Sequence, residues 1–169
     1  NTTFIMEGGK IIKNYAPNGG GGLYIYRANA TLNDGLISEN TTGKDGNGAG
    51  IFVAGDGALL TMNGGTIQKG SSPANDGGNV SIHAGTFTMA DGTITGGTAL
   101  NHGGNVALQA NGNFVHNGGT ISGGTLTGLG KGDCIEASGQ YTANGGVIQG
   151  EMYIGSKPAI VQTGFGEGS

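Results

Sequence analysis

The sequence has few prolines, few aromatic residues, little charge and a single cysteine. Three prolines exclude collagen, whose Gly-X-Y repeat needs abundant proline. The one cysteine, Cys134, cannot form an internal disulfide. The charged fraction is 11%, the net charge is −4 and basic residues do not cluster, so we expect no nucleic-acid partner. No apolar run approaches the roughly 20 residues of a membrane-spanning helix, so we expect no membrane insertion by this segment.

Glycine is abundant instead, with 40 of 169 residues where about 7% is typical. Because glycine costs about 1 kcal/mol in a helix interior, a helical domain is disfavoured. A flexible Gly-rich linker is disfavoured too, since the apolar 35% of this chain recurs at a fixed period. The length suits one domain. The chain begins Asn-Thr-Thr, which indicates a processed form or an excised piece.

One recurring motif consists of an apolar residue, intervening positions, a Gly pair or its remnant, and a closing isoleucine. Its copies lie at 4–11, 30–37, 60–67, 87–94, 114–121 and 141–148. The closing isoleucines are 26, 30, 27, 27 and 27 residues apart. Three consecutive spacings of 27 indicate a repeat architecture.

A second motif alternates with the first, and it consists of a Gly-rich turn followed by alternating apolar residues. Its copies lie at 21–25, 49–53, 78–82, 104–108 and 133–137. Their last residues are 28, 29, 26 and 29 apart. Because the two motifs share one mean period, they belong to one repeating unit.

Each unit predicts three short strands joined by turns. Apolar residues alternate with small or polar ones, as at Leu23/Ile25 and Phe87/Met89, and glycine, asparagine and aspartate suit the tight turns. If the units stack, strands pair in parallel and equivalent residues form apolar columns. The two clearest columns are Leu23-Ile51-Val80-Val106-Ile135 and Ile11-Ile37-Ile67-Ile94-Ile121-Ile148.

We therefore predict an all-β fold, a right-handed parallel β-helix of about six coils of about 27 residues. The repeat domain covers 1–155, and a terminal strand and Gly-rich tail cover 156–169. An antiparallel sandwich does not need this long period, a propeller blade needs about 40 or more residues, and a left-handed β-helix is built on hexapeptides that are not seen here.

The motifs resemble those of a known group of bacterial surface proteins. The segments 21–25, 50–53 and 77–80 resemble the Gly-Gly-Ala-Ile-type motifs of polymorphic outer-membrane and autotransporter-like adhesins. Leu60-xx-Asn63, Phe114-xx-Asn117 and Tyr141-xx-Asn144 are similar to the companion Phe-xx-Asn motif of that group. The resemblance covers about residues 3–154. It implies an extracellular or bacterial cell-surface location and a role in adhesion or surface structure.

Pectin-lyase-like enzymes share the predicted fold, and similarity to them would imply clustered aspartates with a nearby basic residue. Asp34 and Asp91 are in phase but two coils apart, which is about 9.6 Å at the spacing of β-strands. The only arginine, Arg27, has no acid in phase beside it. We therefore expect no enzyme activity and predict no catalytic, cofactor-binding or metal-binding residues.

Asp76, His102 and Lys131 occupy equivalent turns. They could bind an anion or a metal, or could simply be exposed turn residues. A row of threonines at 66, 93 and 120 raises the possibility of ice binding, but the neighbouring Gln68 and Gln149 spoil a flat lattice.

Three further residues, two histidines and the cysteine, are interpreted one by one. His116 falls in the inward column of Met62 and Met89, so it is either a buried neutral histidine with a hydrogen-bond partner or is turned outward by a bulge. His83 follows a strand and is expected to be solvated. Cys134 is expected at a strand entrance, either as a small, partly buried residue or in an intermolecular disulfide.

The candidate ligand or partner surface consists of Tyr24, Tyr26 and Phe52, which we expect to be exposed. Tyr24 and Phe52 are in phase on adjacent coils and could stack on a sugar ring. A glycan-binding or lyase-like carbohydrate-active protein is therefore the alternative function, with ice binding less favoured.

The ends predict assembly, because open solenoid faces carry unpaired backbone groups. Phe4 and Met6 are already in repeat phase, and Ile154, Ile160 and Val161 offer apolar strands at the other end. The last strand could close its own end or pair with another copy. We expect a non-enzymatic cell-surface structural or adhesive module that stacks head to tail into filaments, unless missing N-terminal coils cover the first one. Its partners would be other copies and, in addition, surface glycans or a host or neighbour-cell surface.

Overall fold

The structure, a computed structural model, describes residues 2–155 and 161–162. All regular elements in these ranges are β-strands. In chain order they are β1 (Thr3–Met6), β2 (Lys10–Ile12), β3 (Tyr15–Ala16), β4 (Leu23–Tyr26), β5 (Asn29–Leu32), β6 (Leu36–Ser38), β7 (Thr41–Thr42), β8 (Ile51–Ala54), β9 (Leu59–Met62), β10 (Thr66–Gln68), β11 (Ser71–Ser72), β12 (Val80–Met89), β13 (Thr93–Thr95), β14 (Thr98–Ala99), β15 (Val106–His116), β16 (Thr120–Ser122), β17 (Thr125–Leu126), β18 (Ile135–Ala137), β19 (Gln140–Ala143), β20 (Val147–Gln149), β21 (Met152–Ile154) and β22 (Val161–Gln162).

The strands form three sheets in which each strand pairs in parallel with its equivalent one turn away. One sheet has six strands in the order β2-β6-β10-β13-β16-β20, and another has five in the order β17-β14-β11-β7-β3. The third sheet has 11 strands because it combines two columns of strands. The long strands β12 and β15 each span two successive strands of the other turns, so each belongs to both columns. The described chain is therefore a β-solenoid of about five turns, where the sequence predicted about six coils. The two-residue strands of the five-stranded sheet are a fourth strand per turn that the sequence did not predict.

The register confirms the predicted apolar columns. Ile67 pairs with Ile37 on one side and Ile94 on the other, and Ile94 pairs with Ile121. These four isoleucines are at most 1% exposed. The repeat thus sets the pairing, because the spacing of 30 residues between Ile37 and Ile67 and the later spacings of 27 all place an inward isoleucine beside its counterpart.

Aromatic residues fill a second inward column. The rings of Phe87 and Phe114 are stacked, with centroids 4.6 Å apart, and the Tyr141 ring packs against Phe114 at 5.3 Å. All three are at most 1% exposed. Such stacking buries a core that one turn could not form alone.

Glycine is required where successive turns come close together. Gly92 has a φ of +104°, and a Cβ there would lie 2.8 Å from the carbonyl oxygen of Gly65. At Gly104 a Cβ would lie 2.3 Å from the carbonyl oxygen of Asp133. Backbone contact between turns therefore explains part of the high glycine content.

A buried ladder of side chains lies at the entrances of β12, β15 and β18. Asn79 Nδ2 donates to Asn105 Oδ1 at 2.8 Å, and Asn105 Nδ2 points to Cys134 Sγ at 3.8 Å. Asn79 and Asn105 also accept hydrogen bonds from the backbone of Gly70 and Gly97. These asparagines are 0% exposed, and their hydrogen bonds tie neighbouring turns together.

Candidate functional site

An outward-facing groove crosses the 11-stranded sheet. Its floor, which we call the outer row, contains one residue from each turn in register: Tyr24, Phe52, Ser81, Ala107, Glu136 and Tyr153. One side consists of the residues two positions later, among them Tyr26, His83, Gln109 and Ser138. The other side consists of the turn residues Asn47, Asp76, His102 and Lys131. We call the three rows together the outer groove.

The middle of the floor is covered although it faces away from the core. Phe52 is 8% exposed, Glu136 is 4% exposed, and Ser81 and Ala107 are 0% exposed. Period-two alternation places these side chains on the outer face. Their burial therefore comes from the two sides of the groove, which close over them.

The first end of the groove is aromatic. The side chains of Tyr24 and Tyr26 are 53% and 54% exposed, as predicted, and their ring centroids lie 6.0 Å apart. Arg27 lies over the Tyr26 ring at 5.2 Å. We call these two exposed rings the aromatic platform.

Phe52 does not belong to that exposed platform, so the prediction that it is exposed is wrong. The Tyr24 ring stacks on one face of Phe52 at 5.1 Å, and the His83 ring packs edge-on at 4.7 Å. The alternation of apolar and polar residues correctly predicts that Phe52 faces outward, but it does not show that the rings of Tyr24 and His83 cover it.

The middle of the groove is polar. Gln109 Nε2 donates to Asp76 Oδ2 at 3.0 Å. This bond links the two sides of the groove above the small floor residues Ser81 and Ala107. Three atoms of the groove residues are buried without a hydrogen-bond partner, namely Asp76 Oδ1, Ser81 Oγ and His83 Nε2.

His83 is not solvated, and that expectation is also wrong. It lies within β12 and its Nε2 atom is buried. Burial lowers the pKa of His83, and the negative charge of Asp76 opposes this only in part. The imidazole is therefore neutral at pH 7.

The far end of the groove contains a buried acid that sequence reasoning missed. Ser138 Oγ donates to Glu136 Oε1 at 2.5 Å. Burial raises the pKa of Glu136 and Asp76 adds to this, while the Ser138 hydrogen bond and His102 oppose it. The available signal was the shared phase of Glu136 with Phe52 on the outer face.

The turn row of Asp76, His102 and Lys131 does not form one site. The Asp76 carboxylate turns into the groove, while Lys131 Nζ lies 4.6 Å from the centre of the Tyr153 ring. His102 and Lys131 meet through a backbone bridge. Among the described residues, no group of three or more His, Cys, Asp or Glu side chains could hold a metal ion.

His116 is buried, 1% exposed, and has a partner, which confirms the first of its two interpretations. Its Nδ1 lies 3.0 Å from the hydroxyl oxygen of Tyr141. Burial lowers the pKa of His116, with the backbone of Gly118 and Gly119 opposing. His116 Nε2 has no hydrogen-bond partner of normal geometry, so these two backbone groups do not offset the lowering of the pKa by burial. Burial also raises the pKa of Tyr141 to about 12.

Cys134 is 0% exposed at the entrance of β18, so a disulfide to another chain would require the turn to open. Its Sγ donates to the carbonyl oxygen of Gln149 at 3.0 Å. Burial raises the pKa of the thiol. The cysteine therefore has a structural place at the end of the asparagine ladder.

The first turn has an incomplete core. Phe4 is 38% exposed and Ile5 is 57% exposed, and both line an open depression with Lys10 and Ile11. Met6 is 6% exposed, so the second turn already covers it. Of the residues predicted for assembly at this end, Phe4 remains available.

At the other end, the described residues show one covered and one open strand. Val161 pairs through its backbone with Thr142, so β22 lies on β19 of its own chain. The last described strand therefore closes its own end, which is the first of the two alternatives predicted for it. Ile154 in β21 is 43% exposed, and Ile160 lies outside the described residues.

Comparisons with family models, with curated proteins and with solved structures found no match. Within the part of the chain that the structure describes, no helix has the length and apolarity needed to cross a membrane.

Proposed function

We propose that this chain is a non-enzymatic β-helix module that acts outside the cell or on a bacterial cell surface, where its turns stack head to tail with other copies. Within this proposal, the solenoid is a right-handed parallel β-helix with pectin-lyase-like architecture. The module has a structural or adhesive role. The observation that carries this proposal is the unfinished stacking face of the first turn.

Within the part of the chain that the structure describes, the four strands at that face, β1 to β4, each pair with one strand of the second turn and with no other. Their outer backbone groups can accept another parallel strand. Phe4 is exposed there, whereas its in-phase counterparts Phe87 and Phe114 are 0% exposed. A further turn of the same repeat would bury Phe4 in the same way.

A second copy supplies such a turn. Among the described residues, β20, β21 and β22 are the edge strands at its far end, and Val147 and Ile154 are 49% and 43% exposed. The same phase relates Val147–Gln149 to Lys10–Ile12, so parallel pairing across the joint continues the column of isoleucines. A head-to-tail contact of this kind propagates into a fibre unless it closes into a ring.

Sedimentation velocity over a range of concentrations tests the assembly. We expect the protein to associate as concentration rises and Phe4→Asp to abolish the association, because the charge would be buried at the joint. Leu59→Asp is the matched control, since Leu59 is 36% exposed on β9, in the interior of the stack and away from both end faces. Monomers at high concentration, with circular dichroism showing a folded protein, would contradict head-to-tail stacking and leave the face to a preceding turn of a longer chain.

Glycan binding is the second candidate function, and the exposed pair Tyr24 and Tyr26 favours it. Aromatic faces beside polar groups suit a sugar ring, which has one apolar face. Tyr24→Ala should weaken binding to an oligosaccharide array, while Tyr15→Ala, at an exposed tyrosine outside the groove, should not. Equal binding by both variants would contradict a role for the platform.

The absence of enzyme activity is part of the proposal. Most acids lie apart, but Asp76 and Glu136 share the outer groove and influence each other electrostatically. We expect no turnover of polygalacturonate or of other glycans. Measured turnover that is lost in Asp76→Asn or Glu136→Gln would overturn this part.

A further inference from the structure

We propose that the polar middle of the outer groove binds an uncharged, hydroxyl-rich ligand, such as a neutral sugar residue. In the protein without this ligand, the Gln109–Asp76 hydrogen bond closes the pocket. The inference rests on glycan binding, the second candidate function. It extends that site from the aromatic platform to Asp76, Ser81 and His83.

Three unpaired atoms belong to this part of the groove: Ser81 and His83 lie two residues apart on one face of β12, and the charge of Asp76 acts on His83. They are Asp76 Oδ1, Ser81 Oγ and His83 Nε2, and each is buried. Ser81 as a whole is 0% exposed. Buried polar atoms normally have partners, so three without one in a single place point to a ligand that supplies them.

Among the described residues, many comparable groups have partners, although Asn113 Oδ1 and His116 Nε2 are also buried without one. Ser72 is also 0% exposed, but its hydroxyl donates to the carbonyl oxygen of Gly77 at 3.1 Å. Asn79 and Asn105 are equally buried and fully bonded. The fold does not need a hydroxyl at Ser81 either, since its neighbour in the outer row is Ala107.

The unpaired atoms define the ligand chemistry. A carboxylate oxygen only accepts, so Asp76 needs a donor and repels an anion. The Ser81 hydroxyl can donate or accept, and the neutral His83 ring can do either according to its tautomer. Hydroxyl groups of an uncharged sugar match all three. The neighbouring Phe52 and Tyr24 rings continue into the aromatic platform, where the apolar face of a further sugar residue would stack.

Gln109 competes with the ligand for Asp76. Its amide donates to one carboxylate oxygen at 3.0 Å and joins the two sides of the groove. When the long Gln109 side chain swings away, the carboxylate, the hydroxyl and the imidazole become accessible together. A ligand hydroxyl then takes the place of the amide.

The test uses an array of neutral oligosaccharides built from hexoses, pentoses and N-acetylhexosamines, with uronate-containing oligosaccharides on the same array. We expect binding of neutral members and not of uronates. Ser81→Ala should weaken that binding by about five- to ten-fold, the value of one hydrogen bond. Gln109→Ala should strengthen it by about two- to five-fold, because the competing bond is lost.

Thermal unfolding separates binding from folding. Ser81→Ala should leave stability unchanged or raised, since it removes an unpaired buried hydroxyl, whereas the matched control Ser72→Ala should lower stability. If Tyr24→Ala weakens neutral glycan binding but Ser81→Ala and Gln109→Ala do not change it, glycan binding stands and the pocket is wrong. If no neutral oligosaccharide binds, both are wrong. Equal loss of stability in the two serine variants would also overturn the pocket, because Ser81 would then have a structural partner.

Discussion

The interior turns and the first turn carry the same repeat but differ in what covers it. Ile94 and Phe87 are 0% exposed between two neighbours, whereas the in-phase Ile11 is half-buried and Phe4 is 38% exposed. The local sequences are alike, so the difference comes from the number of described turns that pack against each one. A turn of a solenoid completes its core only when another turn stacks on it.

The largest expected effect comes from a charge in an interior column. Ile94→Asp should unfold the middle turns, because an unpaired buried charge costs several kcal/mol. Ile11→Asp, in the same column but half-buried, should cost clearly less since its carboxylate can reach water. Chemical denaturation followed by circular dichroism measures both. Normal folding of the Ile94 variant at 37 °C would contradict the register described above.

A smaller effect is expected from adding a methyl group between turns. Gly104→Ala should cost about 1–3 kcal/mol, because its Cβ would meet backbone atoms of the next turn. Gly8→Ala in the first turn should change stability by no more than about 0.5 kcal/mol, since no atom lies within 4 Å of its Cβ. Equal unfolding free energies for the two variants would mean that the turns are not packed as closely as the structure has them.

The smallest expected effect is the pH dependence of stability that comes from His116, a polar residue in the interior of the stack. The pKa of His116 is lowered from its ordinary value of 6.5, so below pH 6.5 the unfolded chain binds more protons than the folded one. The contribution of His116 to stability is therefore fully present above pH 6.5 and is lost as pH falls through the folded-state pKa.

His116→Gln should remove that share of the slope when unfolding free energy is measured between pH 5 and 8. His83 contributes a slope of the same sign and Glu136, whose pKa is raised, one of the opposite sign, and both remain in the variant. The difference between the two proteins therefore isolates His116. Parallel curves would show that the imidazole titrates with an unshifted pKa.

The sequence predicted the columns because each repeat period places the same residue type at the same inward position, as for Ile67 and Ile94. It did not predict the outer groove. Phe52, His83 and Glu136 are covered by side chains from other turns, and the closing bond joins Asp76 and Gln109 across a difference of 33 residues. Periodicity identifies the face of a strand, but it cannot tell which distant side chains close over that face.

Hydrogen exchange of the first turn at low and high protein concentration tests most directly whether that turn is a stacking face. Amides of Thr3–Met6 and Lys10–Ile12 should gain protection as concentration rises, because a partner turn pairs with these edge strands. Amides of the interior strand Thr93–Thr95 should stay equally protected throughout. First-turn exchange that is independent of concentration would contradict head-to-tail stacking.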